Sequence, residues 1–155
     1  MTPAINLLKK QKTAHSVHEY QHDPLCESFG LEAVEKLNLP AERVFKTLVV
    51  SLDSNELAVA IVPVSFKLSL KSIAKALHAK KAMMADKLAV ERSTGYVLGG
   101  VSPLGQKKRL KTVIDSSAEQ FDSIYVSAGK RGLEVELSPA NLSKLTNAVF
   151  ADICL

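Results

Sequence analysis

Residues 43–62, RVFKTLVVSLDSNELAVAIV, decide the fold. Two β-branched, apolar runs flank the turn residues Asp53-Ser54-Asn55, so the spacing predicts a hairpin of strands over 43–52 and 57–62. The second run has no polar face, which places the hairpin inside a sheet covered on both sides. The first run alternates. Val44, Lys46, Leu48 and Val50 point one way, and Phe45, Thr47, Val49 and Ser51 the other. A lysine in an apolar row is costly unless its ammonium reaches water, an anion or a partner. Lys46 therefore reads either as a side chain snorkelling from an edge strand or as an ammonium at the floor of a pocket.

Working outward, Thr2-Pro3 opens a helix to about Lys10, and Ser138-Pro139 repeats the signal for a helix to about Leu145. Residues 15–21 alternate like a short strand. Ser28 or Gly30 opens a helix closed by Asn38 and Pro40. Ser69 caps a helix with Leu70, Ile73, Ala74 and Leu77 facing inward, and Asp86 caps another to about Arg92. Tyr96-Val97-Leu98 reads as a strand ending in the glycine loop GGVSPLG, residues 99–105. Further strands are expected over 111–114, over 124–127 and 133–137 as a hairpin, and near 149–153. Hairpins alternating with helices predict a mixed α/β (α+β) single domain spanning 1–155. The expected core is a mixed, mostly antiparallel sheet or partial barrel with peripheral helices.

The 155 residues are 46% hydrophobic and 23% charged, an ordinary globular balance that excludes wholesale disorder. No apolar run reaches the roughly 18 residues of a membrane span. The opening residues lack a signal-peptide core, so a cytosolic location is expected. Two cysteines, Cys26 and Cys154, are too few for a disulfide scaffold. The net charge is +4, but residues 65–111 carry eleven basic residues against two acidic ones, a net +9, and the remainder nets −5. Such a segment is either a solvated lysine-rich face or the footprint of a polyanion.

Three patterns invite other chemistry. HEYQH, residues 18–22, spells the H-E-x-x-H zinc signature, which requires a helix so that both histidines converge on one metal. In a strand they stand about 13 Å apart. Gly100 to Gly105 has phosphate-loop spacing, but Gln106 follows where the lysine belongs. Cys26 lies four residues after His22, across Asp23-Pro24, with no orienting partner. No metal or cofactor is expected.

HEYQHDP with the following FG, VFKTLVV, STGYVLGGVSPLGQKKRL and IYVSAGKRGLEVELSP together resemble the YbaK group of free-standing tRNA-editing proteins, related to the editing domain inserted in bacterial prolyl-tRNA synthetases. The resemblance covers essentially the whole chain. It implies deacylation of Cys-tRNA(Pro), and possible extension to Cys-tRNA(Cys), in a pocket beside the lysine strand. By position, Lys46 matches the family's essential lysine, and Tyr20 and Phe29 match pocket residues. Gly99 and Gly100 match the loop that holds the aminoacylated end, and Ser127 matches the pocket wall. Glu134 stands where relatives carry aspartate. Lys107, Lys108, Arg109, Lys130 and Arg131 are the expected contacts to nucleic acid. The implied chemistry is attack of the substrate's own thiol on its ester. The alternatives are water-mediated hydrolysis of other small aminoacyl-tRNAs such as Ala-tRNA(Pro), or a tRNA-binding module without chemistry. Prolyl-tRNA synthetase is the expected protein partner.

Overall fold

A computed structural model describes residues 1–26 and 28–155. The order of elements is α1 (Pro3–Lys10), β1 (Ser16–Glu19), α2 (Phe29–Leu37), β2 (Phe45–Leu52), β3 (Leu57–Pro63), α3 (Leu70–Ala76), β4 (Ala82–Met84), α4 (Lys87–Thr94), β5 (Lys111–Asp115), β6 (Ile124–Lys130), β7 (Leu133–Leu137), α5 (Pro139–Thr146) and β8 (Val149–Ala151). Two sheets result, β4-β2-β3-β5-β8 and β1-β7-β6. The hairpin read from residues 43–62 is β2–β3, antiparallel from Phe45↔Pro63 to Ser51↔Leu57. β3 is central and buried along almost its whole length, as a strand without a polar face requires. β3, β5 and β8 run parallel, and the remaining pairs are antiparallel.

The principal core lies between the sheets. Phe45, Val59 and Ile61 meet Ile124, Val126, Val135 and Leu137 there, and α1 and α5 add Leu8 and Leu142. A second core lies on the other face of the large sheet, where Val50, Ala60 and Val62 meet Ile73 of α3 and Ile153. Thr2, Ser69, Asp86 and Ser138 each accept a hydrogen bond from a first-turn N–H, so four of the expected caps form. Ser28 caps α2 by position without a side-chain hydrogen bond.

Two expectations require correction, and one strand lies outside them. Tyr96–Leu98 is a turn. The Tyr96 ring turns inward and its hydroxyl donates to the Leu104 carbonyl at 2.6 Å, while the Gly100 N–H donates to the Val97 carbonyl at 2.9 Å. Leu70 sits at the first helical position of α3 and is exposed, whereas Ile73 and Ala74 one turn later are buried. β4 was not expected; its three residues are too few for a period to register.

The sheets touch where Val44 bridges Tyr125. β4 pairs β2 only from Val50 to Leu52. The edge of β2 at residues 45–48 therefore has no strand beside it, and a cleft opens along it.

Candidate active site

The cleft has a volume of about 340 Å³. Lys46, Thr47 and Ser127 line it from the strands, and Glu134 lines it from β7. Tyr20, Phe29, Gly99, Lys130 and Arg131 form the rim, so eight of the residues expected from sequence converge here. Gly100 is buried directly behind that rim, against the backbone of Lys130. Lys107, Lys108 and Arg109 line no part of the cleft.

Lys46 shares a face with Leu48 and Val50, as the alternation required. It makes no ion pair or hydrogen bond among the described residues. Burial lowers the pKa of its ammonium, opposed in part by Cys154 and helped least by the neighbouring Lys67. This is the pocket reading of Lys46: an available cation, partly desolvated.

Glu134 is 7% exposed, and its carboxyl has no hydrogen-bond partner among the described residues. Burial pushes it up to about 8, so it is mostly protonated at neutral pH. A buried carboxyl without a partner, facing a cleft, is where a proton-transfer group belongs. Burial and then the Glu134 charge push the Tyr20 phenol up to about 12, which keeps it neutral and able to donate. The Thr47 hydroxyl is buried with no partner. Sequence reading did not select it, because alternation aims it away from Lys46. Its signal was a hydroxyl in the row of Phe45 and Val49. Both faces of β2 reach the cleft because the cleft opens at the strand's edge.

The rim is held by stacking. The Arg131 guanidinium lies 3.8 Å from the Phe29 ring centroid and donates to the Leu98 carbonyl at 3.1 Å. Gly99 has φ +91°, and a Cβ there would fall 2.5 Å from Phe29 and 2.7 Å from Arg131. Only glycine lets this loop close on the pair. Gly105 behaves differently. A Cβ there would meet the Pro3 backbone at 2.7 Å, so the far end of GGVSPLG packs on α1.

The HEYQH histidines separate. His18 meets Glu136 at 3.0 Å, and His22 meets Glu32 at 2.6 Å. Glu32 also accepts from the Asp23 N–H at 2.8 Å and from Lys36. His22 thus anchors the chain entering α2, its ring 6.0 Å from Phe29. Cys26 does not line the cleft, and its thiol donates to the Ser28 carbonyl.

Comparison with known proteins identifies the family. The model of the aminoacyl-tRNA editing domain matches residues 26–145, which hold every cleft-lining residue except Tyr20. A protein of Enterococcus faecalis named "Putative Cys-tRNA(Pro)/Cys-tRNA(Cys) deacylase EbsC" is 37% identical over 153 residues, covering 98% of this chain and 92% of that one. A proline–tRNA ligase of Syntrophomonas wolfei is 29% identical over 130 residues, 79% of this chain and 22% of the ligase. A crystal structure described as "a putative trans-editing enzyme for prolyl tRNA synthetase" superposes with a TM-score of 0.86 over 99% of this chain and 95% of that one. At 20% identity it attests the fold alone. The chain belongs to the aminoacyl-tRNA editing domain family and is an aminoacyl-tRNA deacylase, an enzyme acting on an ester bond.

Proposed function

We propose that the protein clears cysteine from mischarged Cys-tRNA(Pro), and also accepts Cys-tRNA(Cys), with the substrate thiol as nucleophile. One observation carries the mechanism: no cysteine or histidine lines the cleft among the described residues, neither lining serine donates its hydroxyl to a basic side chain there, and the carboxyl opposite Ser127, that of Glu134, is mostly protonated. The unpaired polar groups are instead an ammonium, a mostly protonated carboxyl and a buried hydroxyl. Such a set positions and polarises a substrate that brings its own nucleophile.

The sulfur bonds to the ester carbonyl carbon, the bond from that carbon to the ribose oxygen breaks, and the thiol proton ends on the released ribose hydroxyl. The products are a four-membered thiolactone and free tRNA. Glu134 relays the proton, its pKa of about 8 lying close to that of a thiol. Lys46 compensates the negative charge at the acyl end, in a site where water is partly excluded. Making the attack intramolecular removes several kcal/mol of entropic barrier. It also provides selectivity, because a pocket alone separates cysteine, alanine and proline by only about 1–3 kcal/mol. The likeness to 22% of a proline–tRNA ligase supports an editing unit working beside prolyl-tRNA synthetase, which would supply recognition of the tRNA body.

The test is ester loss from Cys-tRNA(Pro) and Ala-tRNA(Pro), with wild type beside Lys46→Ala. Fast loss of the cysteinyl ester alone, reduced at least 100-fold by the substitution, is expected. Equal loss of both esters would replace the thiol mechanism with attack by water. Loss of neither would end the reading.

A further inference from the structure

Outside the cleft, three cations without ion-pair partners among the described residues surround a second cavity. It has a volume of about 410 Å³ and shares no lining residue with the first. Its apolar floor is Leu7 and Leu145, and Lys12, Arg109 and Lys144 stand around it. These three cations come from three distant parts of the chain. Lys12 follows α1, Arg109 precedes β5, and Lys144 lies on α5. The segments that carry them, residues 1–15, 101–111 and 138–147, contain eight lysines and arginines and no aspartate or glutamate. Lys12, Arg109 and Lys144 are all exposed, and none forms an ion pair among the described residues. A folded surface that gathers like charges without counter-charges destabilises itself unless an anion completes it. The remaining polar lining, Gln11, Thr13 and Asn141, supplies hydrogen-bonding groups suited to phosphate oxygens.

We infer that this cavity is a second, backbone-reading site that holds phosphates of the RNA substrate's stem while the cleft holds its aminoacylated end. The inference rests on the editing reading above. It also gives Arg109 and Lys108 a place, since Lys108 lines an adjoining depression and Arg109 lines both that depression and the second cavity. The site carries no sequence code, because phosphate contacts set register and orientation only.

The experiment measures binding of uncharged tRNA(Pro) by fluorescence anisotropy across a salt series. It compares wild type, the triple variant Lys12→Ala/Arg109→Ala/Lys144→Ala, and a control, Lys80→Ala/Lys81→Ala/Lys87→Ala. The control lysines flank β4, three strands away from β5 in the same sheet. Each lost phosphate contact weakens affinity about fivefold near 0.15 M salt and removes about 0.7–0.9 from the slope of log affinity against log salt. The cavity variant is expected to bind roughly 100-fold more weakly with a slope smaller by two to three, and the control is expected to change only a few-fold. An acceptor-end mimic, the linear trinucleotide CCA, should occupy the cleft with equal affinity in wild type and cavity variant, and a weaker grip in the cavity variant would overturn the separation of the two sites. Equal losses in the two triple variants, or wild-type affinity in the cavity variant, would overturn the site while leaving the editing reading intact. A wild-type protein that does not bind tRNA at all would overturn the editing reading itself. Unchanged thermal midpoints of the variants establish that the exposed substitutions leave the fold in place.

Discussion

Glu134 and Glu136 sit two residues apart on β7, on one face of one sheet, yet they live in opposite environments. Glu136 accepts from the Ser123 hydroxyl at 2.6 Å and meets His18 at 3.0 Å and Arg43 at 3.4 Å. The Ser123 hydrogen bond leads the interactions that hold its carboxyl below the usual range, against the cost of its burial. Glu134 has none of these partners, and burial alone pushes it up to about 8. The difference separates a carboxylate that holds structure together from one kept available for chemistry. The first is satisfied within the protein, and the second is left for a substrate to satisfy.

The contrast can be broken most sharply through stability. Glu134 gives up its proton near the ordinary 4.5 when unfolded and near 8 when folded. Between those values the folded chain binds more protons, so wild type loses stability as pH rises through that window. Glu134→Gln does not titrate. Its advantage over wild type is expected to grow from near zero at pH 4.5 to as much as roughly 5 kcal/mol above pH 8, read from urea midpoints. A constant difference across that range would show Glu134 to be ionised already. The activity effect comes next in size. Glu134→Gln should slow single-turnover deacylation of Cys-tRNA(Pro) about 100-fold, while Glu136→Gln stays within a few-fold of wild type. Conversely, Glu136→Ala should cost about 1–2 kcal/mol of stability by chemical denaturation, because it removes the acceptor of the Ser123 hydroxyl and the counter-charge of Arg43, which keeps its bonds to Ser123. Slowed chemistry in the Glu136 variant, at saturating substrate and full folding, would dissolve the distinction. The smallest effect is at the rim. Arg131→Ala loses one stacking contact on Phe29 and should raise KM a few-fold with kcat nearly unchanged.

The alternating LEVEL of residues 133–137 made it legible that both glutamates share a face. Which of them is partnered was not legible, because Ser123, Arg43 and His18 come from elsewhere in the chain. The hairpin of β2 and β3 was readable because a continuous apolar run has one stable destination, the middle of a covered sheet. Tyr96–Leu98 misled because apolar residues beside glycines fit a strand as well as a turn, and the bond from Tyr96 to the Leu104 carbonyl decides between them. The charge reading was local for a related reason. A contiguous count over 65–111 found Arg109, but folding brings Lys12 and Lys144 to it from outside that window. Thr47 escaped because the strand's open edge, which exposes both faces to the cleft, is a property of sheet order.

The most direct test of the thiol-assisted account replaces one atom of the substrate. Rates of ester loss from Cys-tRNA(Pro) and Ser-tRNA(Pro) would be measured with wild-type enzyme at saturating concentration, where sulfur and oxygen occupy the same position in the cleft. The account predicts that the seryl ester reacts at least 100-fold more slowly, because its hydroxyl is a far poorer nucleophile at neutral pH. Comparable rates for the two esters would contradict it and assign the attack to water.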